Sequence, residues 1–162
     1  MYDAVMATWI ELQHADPELA AHGEHLLSPD GTGFAFLATT SKGGAPRVHP
    51  VVPILAAGRL HVFVVNMSPK HADLLRDGRY ALHSTLTPTG GEEFYVTGRA
   101  GRNDDPARRA EVTAASGNRL GHTGFETLFE LDLGHVLYTH WDNWGTAQTW
   151  PRYTRWPPRP QA

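Results

Sequence analysis

Arg47 and His49, two positions apart in a run that also holds Pro46, Pro50 and Pro53, are the residues of this chain best suited to chemistry. On an extended strand that spacing puts the guanidinium and the imidazole on one face. A guanidinium offers a fixed fork of donors to an anion, and an imidazole donates, accepts or carries charge near neutral pH. Proline has no N–H for a ladder, so three in so short a stretch argue against an ordinary central strand and leave backbone free to pair with something else. A second candidate is Ser68-Pro69-Lys70, which opens a run continuing through Asp73 and Leu74 to Arg76. A hydroxyl and a lysine at a helix start often make an anion site, because unpaired N–H groups and the helix dipole both favour negative charge. Together the two stretches suggest a bound phosphorylated cofactor.

The other candidates are weaker. His22 and His25, at i and i+3 on a predicted helix, lack a third metal ligand. His135 and His140 are five apart on a predicted strand and point to opposite faces, which counts against a shared metal. His61 and His83 fall on predicted strands as structural or surface-facing residues, and no metal site is expected. Arg47 has an alternative role in an ion pair at a subunit surface, and Lys70 one as a solvated helix-start lysine. Trp141, Trp144, Trp150 and Trp156 gather towards the C-terminus, where core or interface packing is the default. The sequence has no cysteine, which removes disulfides, thiolate catalysis and Cys-based metal sites.

Both candidate stretches need a scaffold, and the pattern supplies strands for it. An N-terminal helical segment spans about 3–27, its last helix capped by Asp16 with Pro17 in the first turn. Strand signals follow at 34–40, 46–54 and 60–66, joined by turns at Gly43-Gly44 and Ala57-Gly58. A helix of about 69–77 precedes strands at 79–86 and 92–100, which flank a Thr-, Pro- and Gly-rich loop at 87–91. A helix then runs from Asp104-Asp105-Pro106 to about 115, and the last strands are read at 126–140 and 145–150, with an extended tail at 151–162. Strands without regular strand–helix alternation predict a mainly β fold with peripheral helices, an antiparallel barrel of about six strands at 34–150. With 162 residues and no linker or repeat, one domain is expected.

The net charge of −3 gives no general case for nucleic acid or membrane, although Arg152, Arg155 and Arg159 make the tail locally basic. The first ten residues lack the basic end and long apolar run of a secretory leader, and no stretch approaches the roughly 20 apolar residues that span a bilayer. A cytoplasmic protein is the expectation.

The ordered set Phe36-Leu-Ala-Thr-Thr40, Gly44-Ala-Pro-Arg-Val-His-Pro-Val51, Gly58-Arg-Leu-His-Val-Phe63, Ser68-Pro-Lys70, Asp73-Leu74-Leu-Arg76, Gly78-Arg79-Tyr-Ala-Leu82-His83-Ser84 and Phe94-Tyr-Val-Thr-Gly98-Arg-Ala100 resembles the pyridoxamine 5'-phosphate oxidase-like split-barrel superfamily. Weaker similarity extends to Glu130-Leu-Asp-Leu133 and Thr149-Trp150. The resemblance implies a split β-barrel homodimer whose cofactor, FMN, the related deazaflavin coenzyme or sometimes haem, lies in a groove between subunits. It implies that Arg47, Val48, His49, Pro50 and Val51 border the flavin ring, and that Asn66, Met67, Ser68 and Lys70 form the phosphate segment. Trp150 would stack beside the ring from the partner subunit. The substrate-phosphate ligands and the C-terminal Arg-containing motif of the true pyridoxamine oxidases have no match, so that activity is not expected.

The implied function is a flavin-dependent oxidoreductase for a small organic substrate. The flavin itself carries the electron chemistry, so the lack of a Ser-His-Asp or paired-carboxylate constellation is no objection. The alternative is a flavin or haem carrier without turnover, with His49 or His83 as axial ligand of a haem, and a third reading is a purely structural domain.

Overall fold

A computed structural model describes residues 6–29, 33–87 and 89–157. The predicted features at 3–5, 30–32, Pro88 and 158–162, Arg159 and Pro160 among them, lie outside the described residues.

The N-terminal segment forms two helices, α1 (Trp9–Ala15) and α2 (Pro17–Leu27). Thr8 and Glu11 close α1 with a reciprocal capping box. Asp16 ends α1 and caps α2, its carboxylate accepting from the Leu19 N–H at 3.0 Å. Pro17, which has no N–H to continue α1 but suits a first turn, is why the segment breaks there.

The rest is mainly antiparallel sheet: β1 (Ala35–Thr40), β2 (Pro46–Val51), β3 (Ile54–Ala56), β4 (Arg59–Val65), α3 (Pro69–Arg76), β5 (Arg79–Ser84), β6 (Glu92–Asn103), α4 (Pro106–Ala115), β7 (Glu126–Asp142) and β8 (Trp150–Trp156). The strands make one 8-stranded sheet in the order β2-β1-β5-β6-β7-β4-β3, with β8 added on β7. The mainly β, antiparallel expectation holds. The strand count does not, because the sheet has eight strands and is not closed. Its two ends, β2 and β3, are consecutive in the chain and separated only by Val52-Pro53. The sheet therefore curls until its edges are covalently joined, yet no ladder links them. Pro46 and Pro50 occupy β2, which pairs only with β1, as prolines require of an edge.

The end of the chain also differs from the reading. The strand predicted at 145–150 is a turn followed by β8, which begins at Trp150 and pairs with the far half of β7 through register pairs from Asp142↔Trp150 to Val136↔Trp156. The turn is held by the Thr146 and Thr149 hydroxyls, both donating to the Asn143 carbonyl at 2.9 Å. Residues 151–156 are extended, but as an edge strand in which Pro151 is tolerated, with Trp156 packed on the core.

Alternation sets the faces. Ala35, Leu37 and Thr39 of β1 turn inward and are buried, while Phe36 is 47% exposed on the outside. The interior is filled by Leu37, Leu60, Val62, Leu82, Phe94, Val96, Leu131, Leu133 and Val136, and α2 contributes Leu19, Leu26 and Leu27 to the same cluster. β6 and β7 share the longest ladder, shifted by a bulge at Thr97/Gly98. Gly98 is needed there: a Cβ would lie 1.8 Å from the Asp132 carbonyl oxygen.

Candidate functional site

β2 lies against β1 with Arg47 opposite Thr39, His49 opposite Leu37 and Val51 opposite Ala35. Arg47, His49 and Val51 thus share the inward face, and Val48 and Pro50 point outward beside Phe36. Val48 is 63% exposed. The five residues read as one ring-bordering stretch therefore divide between two faces.

One carboxylate of α3, that of Asp73, reaches both β1 and β2. Asp73 is 3% exposed, because its helix face also presents the buried Leu74. Thr39 Oγ1 donates to Asp73 Oδ2 at 3.0 Å, and Arg76 Nη1 donates to Oδ1 at 3.1 Å. The Arg47 guanidinium comes within 3.7 Å of Oδ2, close enough for an ion pair and too far for a hydrogen bond. Arg76 also donates to the Thr40 carbonyl. Among the described residues the Arg47 side chain makes no hydrogen bond, and Lys70 makes neither a hydrogen bond nor an ion pair.

His49 completes the group. Burial holds its imidazole below the ordinary value, the Lys70 and Arg47 charges push the same way, and Asp73 opposes them. Its Nε2 is shielded from solvent and has no hydrogen-bond partner. The cluster combines two cations with unspent donors, a neutral imidazole and a buried counter-charge. Such a set can hold an anionic group while offering one uncharged nitrogen beside it.

In the segment 66–70 several polar groups are engaged within the chain. The Asn66 N–H donates to the Phe125 carbonyl at 2.7 Å, and its Oδ1 accepts from the Thr127 hydroxyl at 2.7 Å. Thr127 Oγ1 then receives His71 Nε2 at 2.9 Å, which fixes the proton of that neutral ring on Nε2. Burial, then the Arg102 charge, lowers the pKa of His71. The Asn66 side chain is thus occupied by this chain's own loop. Met67 is 88% exposed. Ser68 stands at the N-cap of α3, but its hydroxyl donates back to the Val65 carbonyl at 2.7 Å and the helix has no side-chain cap. Pro69 follows at the first helical position, leaving Lys70 as the charged group of the first turn.

Trp150 is 70% exposed at the start of β8, with β7, β6, β5 and β1 between it and β2 in the sheet. Within one chain it is not part of the Arg47 cluster. His83 lies opposite Phe36 on β5, and its Nδ1 donates to the Ser84 carbonyl at 2.7 Å, leaving Nε2 as the acceptor. Among the described residues no group of three or more His, Asp or Glu side chains is arranged to hold a metal ion.

Two features escaped the sequence reading. Asp73 had a signal, a carboxylate beside Leu74 on a short helix and three residues from both Lys70 and Arg76. The second is a buried polar network on β4 and β7 away from this cluster. His61 is fully buried with Glu130 Oε1 at 3.6 Å, and Glu130 is also approached by Arg59 at 3.4 Å, Arg108 at 3.6 Å and Asn103 Nδ2 at 2.8 Å. Cross-strand register brings His61 beside Glu130, and β6 and α4 add Asn103 and Arg108.

No protein-family model matches the sequence, and no curated protein matches it. Solved structures do match in fold. A haem-binding protein from Mycobacterium smegmatis superposes with a TM-score of 0.61 at 19% identity, over 83% of this chain and 57% of that one. This chain therefore spans little more than half of that protein. A NimC/NimA family protein from Clostridium acetobutylicum gives a TM-score of 0.59 at 14% identity, over 91% and 95% of the two chains. PhzG from Burkholderia lata, in complex with tetrahydrophenazine-1-carboxylic acid, gives 0.59 at 12% identity, over 91% and 86%. The chain shares the fold of these neighbours.

Proposed function

We propose that this chain is a flavin-dependent oxidoreductase acting on a small organic substrate, with FMN or the deazaflavin coenzyme bound between the subunits of a homodimer. The observation that carries the reading is the Arg47–Lys70–His49 cluster: two cations with unspent donors flank an imidazole whose Nε2 is shielded and unpartnered. In the reading, Arg47 and Lys70 hold the cofactor phosphate through charge-assisted hydrogen bonds. His49 offers its uncharged nitrogen to the ring edge, and Val51 packs beside it. When bound, the flavin supplies the hydride or electron transfer, and the protein orients it and sets its surroundings.

The dimer is supported by the outer face of the sheet edge. Phe36 and Val48 are both exposed there and are diagonal neighbours across the β1–β2 ladder. Because Trp150 belongs to the opposite side of the sheet order, any stacking of its indole on the ring comes from the partner subunit. A two-fold interface is isologous, so the reading requires two cofactors per dimer.

A non-catalytic haem carrier is the second reading. It is favoured by the neutral imidazole of His49 and the acceptor Nε2 of His83, either of which suits an axial ligand. The haem-binding M. smegmatis neighbour and HutZ, the haem storage protein from Vibrio cholerae, give this reading its precedent in the fold. Titration of the purified protein with FMN, the deazaflavin coenzyme and haemin separates the readings, with flavin fluorescence quenching or a Soret band as the signal. Turnover with a reduced cofactor then separates enzyme from carrier. Binding of none of the three overturns both.

A further inference from the structure

We propose that Asp73 is a positioning residue for the anion site, holding the Arg47 guanidinium in place while leaving its hydrogen-bond donors free for a ligand. The inference rests on the reading of Arg47 and Lys70 as an anion site.

The geometry divides the work of one buried carboxylate. Oδ1 is satisfied by Arg76 at 3.1 Å and Oδ2 by the Thr39 hydroxyl at 3.0 Å. Both oxygens therefore have short hydrogen bonds that do not involve Arg47. At 3.7 Å, Arg47 feels the charge of Oδ2 without spending an N–H on it. Guanidinium carries five donors in a rigid fork, so a held but unbonded arginine is prepared to grip a phosphate or carboxylate on two parallel bonds.

Each supporting contact comes from a different element. Thr39 lies on β1 directly opposite Arg47, and Asp73 and Arg76 are one turn apart on α3. Without the carboxylate, Arg47 would stand on an edge strand with no partner among the described residues and would be free to turn into solvent. The Lys70 charge, one turn before Asp73 on the same helix, is then presented from α3 to the same ligand.

The sign of the effect separates positioning from simple charge. Asp73→Asn keeps the size and an acceptor for Thr39 but removes a negative charge next to the site. If the carboxylate acted only through its field, its loss would tighten the binding of an anion. If it positions Arg47, binding loosens although the site has become more positive.

Wild type, Asp73→Asn, Arg47→Ala and the double variant are titrated with FMN and the deazaflavin coenzyme by fluorescence and with haemin by its Soret band. Thermal melting checks the fold. The expected result is a loss of about tenfold or more in Asp73→Asn and little further loss on adding it to Arg47→Ala. Unchanged or tighter binding in Asp73→Asn, or full additivity with Arg47→Ala, overturns the proposal. Should Asp73→Asn fail to fold, Thr39→Val removes the hydroxyl that anchors Oδ2 and must loosen binding in the same direction. Equal or tighter binding in that variant overturns the proposal too. Wild-type protein that takes up none of the three ligands overturns the anion-site reading itself, a failure distinct from that of Asp73.

Discussion

Thr39 and Arg47 face each other across the β1–β2 ladder and address the same oxygen, Asp73 Oδ2, the hydroxyl by a 3.0 Å hydrogen bond and the guanidinium by charge at 3.7 Å. The pair joins the edge of the sheet to α3, close to the Lys70 charge.

Lys70→Ala and Arg47→Ala are each expected to weaken binding of the cofactor by about 1.5–3 kcal/mol, the range for hydrogen bonds to a charged group. The fold should survive both, since neither side chain belongs to the core cluster. Isothermal or fluorescence titration measures the loss, and unchanged affinity in both variants removes the phosphate from this site.

His49, His61 and His71 are all held below the ordinary imidazole value, in each case chiefly by burial. The unfolded chain therefore takes up protons first as pH falls. Their contribution to stability is complete above about pH 6.5 and is lost progressively below it. For His61 the charge of Glu130 resists the shift, but full burial outweighs it. Denaturant unfolding from pH 8 to pH 5 should show this decline, and His61→Asn should make it shallower by up to about one proton. A flat profile in the wild type would contradict the burial of these rings.

Phe36→Glu should convert a dimer to monomer. Phe36 is 47% exposed and outside the core cluster, so the monomer should remain folded. Sedimentation of the two proteins tests it, together with cofactor stoichiometry. A wild-type monomer that binds cofactor tightly would refute a site between subunits.

Gly98→Ala should destabilise by about 1–3 kcal/mol, the usual range for overpacking. Its Cβ would meet the Asp132 carbonyl at 1.8 Å, and that atom is backbone that cannot swing away. The measurement is the denaturant midpoint, and a change below about 0.5 kcal/mol would mean that the bulge rearranges freely.

Local rules made much of this fold legible. Asp16-Pro17 marked α2, alternation marked β6, and the prolines around Arg47 marked β2 as other than central. The strand count failed because the run read as one strand at 46–54 is two, β2 and β3, separated by Val52-Pro53, and because β8 lies beyond the predicted last strand. Pro151 hid β8, since proline reads as a break until an edge position is known. In the site, the shared inward face of Arg47 and His49 follows from a spacing of two. The convergence on Asp73 depends on how α3 lies across β1, which no local pattern encodes. The same limit hid the surroundings of His61, where Glu130 of β7 is met in turn from β6 and α4.

β2 is hydrogen-bonded along one side only. The β6–β7 seam, by contrast, is paired along its whole length in the middle of the sheet. Amide exchange should accordingly be fastest at the strand that presents Arg47 and His49 and slowest at the seam, since opening free energies follow local hydrogen bonding and contact. A ligand gripped by both Arg47 and Lys70 would fasten this loosely held margin to α3. Occupancy would then be readable as slowed exchange at β2, and detachment of that margin is the natural route for the ligand to leave.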